Sequence, residues 1–315
     1  MMIRTSFPRL NVAIAFAGAL LALEPQAPPS AFTPERVLRC EGADLTPHVV
    51  FCDDFEQNDF QGRWDIGSQG GGRWPRADFV KCENDFGFES RCSSWSNALL
   101  FDREWGYYGY DARHSFPDLD EFYVRWYQYI SDPFEWGTLE DKSVLLHDKG
   151  NSLMTYVSTS RTQLPDYPGS GPGVPHIANY QDIDTPETMN RYTMINRFQN
   201  KGRKLSLKPG RWYLFEWYVK LNTPGESDGA TKLWIDDASS PIDTQTLRMS
   251  YDDMRWLKQK DAGKTFGVVR LTLYHQRCDI GRNRCPPKGP EMLSQSHRWD
   301  RLVVSTAPIG PFKSR

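Results

Sequence analysis

The stretch RWYLFEWYVKLNTPGESDGATKLWIDD, residues 211–237, reads as two aromatic-rich strands around a polar turn. Pro224, Gly225, Asp228 and Gly229 supply the turn chemistry. Each arm has the composition of a strand whose side chains alternate between two faces. One face of such a hairpin is ordinary core. The other holds Trp212, Glu216, Tyr218 and Lys220, and it is either a solvated wall or the floor of a cleft.

The same texture runs along the chain. Short runs of strand character recur at 49–56, 98–102, 122–130, 142–148, 152–158, 265–276 and 298–306, separated by breakers such as GSQGGG and LPDYPGSGPG. One helix is expected, opened by Ser250 in SYDDMRWLKQK with Asp253 as the acid of a capping box. Many strands with turn signals and almost no helix imply an all-β sandwich or barrel. With no internal repeat and no visible boundary between two cores, residues 32–315 are expected to form one domain. Two long loops, 159–175 and 277–296, are of a length that is usually functional or disordered.

Composition narrows the function. The chain has 315 residues, 25% of them charged, with a formal net charge of -2 and no basic stripe, which gives no footprint for nucleic acid. Its 11 Trp, 14 Tyr and 17 Phe suit a sandwich core, and they also offer flat surfaces to sugar rings. Arg4 and Arg9 precede the apolar run 12–23, which is too short to span a bilayer and is followed by a Pro/Ala stretch. Residues 1–31 are therefore expected to be a signal peptide and short linker. The mature protein is expected to be a secreted or periplasmic monomer without a membrane span. In such an oxidising compartment the six cysteines read as disulfides before metal ligands. Their spacing groups them as Cys40–Cys52, Cys82–Cys92 and Cys278–Cys285.

The quoted hairpin resembles the late strands of the concanavalin A-like lectin/glucanase superfamily. FCDDFEQNDFQGRW (51–64) and HRWDRLVVSTAPIGP (297–311) resemble its first and last strands. This resemblance implies a jelly roll of two antiparallel sheets whose concave sheet forms a glycan-binding groove. VVRLTLYHQ (268–276) is similar to a late strand of polysaccharide lyases of the heparin lyase I and alginate lyase type. There Arg270 stands at their lysine, Thr272 at their glycine and Tyr274 at their tyrosine. LLH (145–147) matches only the histidine of their Gln-Ile-His strand, at His147. Their Arg-x-Glu-x-Arg strand has no match, and Arg125 in YVRWYQY is a substitute for it.

The implied chemistry is β-elimination from a uronate-containing polysaccharide. It needs a cation at the carboxylate, a base for the adjacent proton and an acid for the leaving oxygen. The resemblance assigns His147 as base and Tyr274 as acid, or Tyr274 as both. Arg125, Tyr129, Arg270, Gln276 and Lys220 are the substrate-binding candidates. On a period-two strand Arg270, Thr272, Tyr274 and Gln276 share one face, a pattern that a solvated outer face would also produce. A non-catalytic lectin of the same fold would use the same aromatics. A glycoside hydrolase ranks lower, because the paired carboxyls it needs, about 5–5.5 Å apart, have no matching run. The resemblance also implies a structural Ca²⁺ near the chain ends, with Asp54, Glu56 and Asp300 as oxygen ligands. The alternative for these acids is pairing with Arg298 and Arg301. No organic cofactor is expected.

Overall fold

A computed structural model describes residues 47–55, 60–69, 78–83, 89–96, 107–132, 134, 136, 141–160, 173–179, 193–195, 205–238, 245–276 and 296–310. All of them lie in the unit Pro34–Arg315. The expected signal segment and the loop residues 161–172 and 277–295 fall outside the described residues.

Fifteen strands follow one another in this part of the chain. They are β1 (Val49–Asp53), β2 (Asp65–Gln69), β3 (Asp78–Glu83), β4 (Glu89–Ser96) and β5 (Tyr107–Leu119). Next come β6 (Glu121–Ile130), β7 (Asp141–His147), β8 (Met154–Ser160), β9 (Val174–Asn179) and β10 (Thr193–Ile195). The last are β11 (Arg211–Lys220), β12 (Gly229–Asp237), β13 (Leu247–Met254), β14 (Phe266–Gln276) and β15 (Ser296–Ser305). Helix is limited, among the described residues, to the four residues Phe60–Arg63 and a 3-10 turn at Gln259–Asp261.

The strands form two antiparallel sheets. The eight-stranded sheet runs β13-β12-β11-β6-β15-β4-β3, with β1 also paired to β15. The seven-stranded sheet runs β10-β9-β8-β7-β14-β5-β2. Strand β4 pairs with Ser296–Trp299 and β1 with Leu302–Ser305, so the two share one edge of β15. First and last strands meet, as the jelly-roll resemblance implies.

Period-two alternation builds the core. Tyr213, Phe215, Trp217 and Val219 of β11 face it together with Phe122, Val124 and Trp126 of β6. Val144 and Leu146 of β7 and Val269 and Leu271 of β14 come from the other sheet. Trp126 stacks on Phe215 with ring centroids 4.9 Å apart and planes 6° from parallel. A polar bridge also joins the sheets inside the core. Gln128 of β6 accepts from Ser143 of β7 and from Trp126 Nε1, and its amide nitrogen lies 3.1 Å from His297 Nδ1.

The hairpin forms as read, with Tyr213 opposite Asp237 and Lys220 opposite Ala230. Its turn is anchored by Asn222, which is 3% exposed. The Asn222 amide donates to the carbonyls of Thr223, Glu226 and Leu257 and accepts from Leu257 N at 2.7 Å. Gly225, at φ 92°, takes the left-handed conformation that this turn requires.

One expectation is overturned. Ser250 does not open a helix: residues 247–254 are strand β13, paired to β12 with Leu233 opposite Met249 and Thr231 opposite Tyr251. From Met249 to Asp252 the segment alternates, with Met249 and Tyr251 toward the core and Ser250 and Asp252 away from it. The hydrogen-bonding edge that β12 offers outweighs a local capping preference.

Candidate functional site

The faces of the two sheets that point away from the core separate the candidate residues. On β7, Val144 and Leu146 point inward, so Leu145 and His147 lie on the outer face. On β14, Val269 and Leu271 point inward, so Arg270 and Thr272 lie on that same outer face. Register places Arg270 opposite Leu145 on one side and opposite Arg113 of β5 on the other.

This face is not solvated. His147 is 4%, Arg270 2% and Thr272 2% exposed. Beside them lies an apolar cluster of Leu145, Met154, Tyr156 and Ala178. Lys142 Nζ sits 4.5 Å from the Tyr156 ring centroid, a cation–π arrangement. Apolar floor, aromatic ring and cations together suit a ligand with both sugar carbons and acid groups.

Arg270 Nη2 donates to His147 Nε2 at 3.2 Å, while His147 Nδ1 lies 2.7 Å from the Asp148 carbonyl oxygen. Burial depresses the His147 pKa most; the Asp148 carbonyl opposes this, and Arg270 and Arg113 add to it. Register also connects this face with Tyr274, which stands opposite Gly109 of β5 and Lys142 of β7. The side chains of Tyr274 and Gln276 lie outside the described residues.

The turn after β7 is held by Asp148. Its carboxylate accepts from Leu153 N at 2.8 Å and Ser152 Oγ at 2.7 Å, besides Ser152 N. Burial alone would raise its pKa, but the bonds from Leu153 and Ser152 outweigh that and hold it below the usual value. A depressed carboxylate contributes stability above its unfolded pKa of about 3.9, lost as pH falls through the folded value. Asp148→Asn is therefore expected to lower the urea midpoint at pH 7 and to flatten its decline as pH falls below about 5. Parallel midpoint curves for the two proteins would contradict this.

Arg125, Tyr129 and Lys220 do not join this site. They lie on β6 and β11, in the other sheet, on its face away from the core. The expectation that Arg125 and Arg270 engage one glycan together is corrected by the fold. Their side chains leave the sandwich on opposite sides, and packed sheets are themselves about 10 Å apart.

Nor is the outer face of β11 a cleft floor. Trp212, Leu214 and Glu216 are 3%, 1% and 2% exposed. The C-terminal residues 307–310 lie against this face. Glu216 accepts from Ile309 N at 3.1 Å, Gly310 N at 2.8 Å and Gln245 Nε2 at 2.9 Å. Arg125, directly opposite Glu216 in the register, donates to Gly310 O at 3.0 Å. Ile309 packs with Cys52 and Val303. Tyr129 lies against Trp212, with Arg298 5.1 Å from its ring centroid, and Lys220 is half-buried.

Among the described residues no group of three His, Cys, Asp or Glu side chains could hold a metal. Asp300 is buried with Arg301 Nε 3.9 Å away, so the positive charge beside it is a guanidinium. Glu56 lies outside the described residues. The acid that organises this region is Asp53, next to the expected Asp54. It accepts from Phe55 N at 2.8 Å, Trp64 Nε1 at 2.6 Å and Arg63 Nη1 at 3.2 Å. Burial raises its pKa despite these partners.

No protein-family model matches the chain, and no curated protein matches it by sequence. Solved structures do match its fold. The marine PL-14 alginate lyase from Aplysia kurodai aligns over 82% of this chain and 99% of its own, with 10% identity and a TM-score of 0.53. A double mutant of another alginate lyase, in complex with alginate tetrasaccharide, aligns over 77% and 97%, with 15% identity and a TM-score of 0.50. At such identities the likeness is one of fold. The chain has the concanavalin A-like jelly roll that these polysaccharide lyases share.

Proposed function

We propose that this protein binds an acidic, uronate-containing polysaccharide on the outer face of the seven-stranded sheet and cleaves it by β-elimination. The observation that carries this reading is the buried Arg270–His147 contact beside Arg113. A guanidinium fork suits a planar carboxylate, and neutralising that carboxylate acidifies the proton on the adjacent carbon. The base takes this proton, its electron pair forms the carbon–carbon double bond, and the glycosidic oxygen leaves with a proton from the acid. Tyr274 is assigned the acid role. With the His147 lone pair engaged by Arg270, Tyr274 as its phenolate also serves as the base. Gln276 assists in binding.

A lectin of the same fold is the second reading, favoured by that same engagement of His147. The two are separated by incubating purified protein with heparin, hyaluronan, alginate, glucuronan and pectate and following the ultraviolet absorbance of the unsaturated product. Product that disappears in Tyr274→Phe with the fold retained supports cleavage. Binding without product, unchanged in Tyr274→Phe, supports the lectin. No binding by any member of the panel overturns both.

Secretion belongs to this proposal, and among the described residues no helix is long and apolar enough to cross a membrane. The disulfides follow from it. Cys52 is disulfide-bonded and no described cysteine is a free thiol, which supports pairing with Cys40. Cys82 stands opposite Ser90 and Cys92 opposite Val80 on adjacent strands, two positions apart in register. Cys40, Cys278 and Cys285 lie outside the described residues. Non-reducing peptide mapping is expected to return the three local pairs. Free thiols, or Cys82 joined to Cys278, would overturn the assignment.

A further inference from the structure

We infer that His147 is a positioning residue that orients the Arg270 guanidinium toward an anionic ligand, and that it is not the group that removes the proton. This deepens the proposed function and rests on it for the identity of the ligand.

The argument is a proton inventory. A carbonyl oxygen only accepts hydrogen bonds, so the 2.7 Å contact to Asp148 O requires the hydrogen on His147 Nδ1. A guanidinium only donates, so the 3.2 Å contact from Arg270 Nη2 requires a lone pair on Nε2. Both nitrogens are thereby committed, and the ring is the neutral Nδ1–H tautomer. Protonating Nε2 would break the Arg270 contact and set a second cation against Arg270, with Arg113 close enough to act on the same ring. The Asp148 carboxylate, a negative charge near the ring, is engaged by Ser152 and Leu153.

A proton-abstracting base must aim a lone pair at the substrate. The lone pair of His147 is aimed at Arg270. The choice of histidine here has a physical sense. A carboxylate in this position would also fix the guanidinium, but it would cancel the charge that an acidic sugar needs to meet. A neutral imidazole fixes the geometry without setting a negative charge against the guanidinium. In this buried setting a guanidinium of fixed orientation loses little entropy when an anion docks.

Two variants test this. In His147→Gln the amide carbonyl can accept from Arg270 and the amide NH₂ can donate to Asp148, but the side chain cannot act as a base. In His147→Leu both contacts are lost. The first measurement needs no activity: ¹⁵N-detected spectra of the histidine ring and of the Arg270 guanidinium. The expected result is an Nδ1–H ring that does not titrate between about pH 5 and 8, although an unperturbed histidine would titrate near 6.5. The Arg270 signal should be kept in the Gln variant and changed in the Leu variant. An Nε2–H tautomer, or a midpoint inside that range, overturns the inference.

The second measurement is calorimetric binding of acidic oligosaccharides, with kcat wherever product forms. Losing one hydrogen bond to a charged group is worth about a tenfold or larger drop in affinity. His147→Leu is expected to show that drop and His147→Gln to recover most of it. If instead both variants bind normally and both lose kcat by about 10²–10⁴-fold, His147 is the base and the inference fails. If no acidic glycan binds the wild-type protein, the proposed function fails, while the ring spectra still decide the tautomer.

Discussion

Glu216→Ala is expected to destabilise the protein by about 2–4 kcal/mol, the cost of leaving buried backbone donors without their carboxylate acceptor. The reason lies in what remains after the carboxylate is gone. Arg125 is fully buried opposite it, and the backbone N–H groups of Ile309 and Gly310 point at the vacated position. Two unsatisfied backbone donors in one buried place, beside the buried Arg125 guanidinium, are among the few causes of so large a loss. The C-terminal segment should also detach, because Glu216 and Arg125 bind three of its backbone groups. Urea unfolding should show a lowered midpoint, and cleavage near residues 306–310 by a protease should accelerate. Glu216→Gln keeps an acceptor and should lose less. A stability within about 1 kcal/mol of wild type for Glu216→Ala would show that the tail does not depend on this carboxylate.

The second large effect concerns activity. If the proposed cleavage occurs, Arg270→Met should lower kcat about 10²–10³-fold, the loss seen when one donor to developing negative charge is removed. Its burial at 2% exposure and its side-chain length are approximated by methionine, so the fold should survive. The same variant should move the His147 pKa upward, because a cation that opposes its protonation is gone. Lys220→Met is the matched control. It removes a positive charge from the eight-stranded sheet, whose outer face looks away from Arg270, and product formation should be unchanged. Equal losses in both variants would mean that general charge, and not the site, governs turnover.

Most of the site was legible as single positions and not as an assembly. Arg270 and His147 could be picked out because each sits at a matching position in a strand-like run. Arg113 was missed, although YYGYDARHSF has strand composition, because its polar residues blur the alternation. Strands β2, β3 and β4 were also missed. DIGSQ and ESRCSSWS carry too few apolar residues for a period-two signal, and their pairing to β5 and β15 is non-local.

The sequence by itself determined the fold class, because alternation, turn residues and the quoted hairpin are local properties of the chain. Strand composition limits the fold to an all-β sandwich or barrel, and core-facing positions such as Phe215, Trp217, Val269 and Leu271 follow from a period of two. Only the tertiary structure decided which sheet each strand joins. That choice puts Arg125 beneath the C-terminal segment and Arg270 against His147, on opposite sides of the sandwich. It also placed Ser250, expected to open a helix, inside the edge strand Leu247–Met254. The physical reason is common to all three. Which residues share a face along one strand is set by neighbouring peptides, whereas which strands share a sheet is set by hydrogen bonds between segments far apart in the chain.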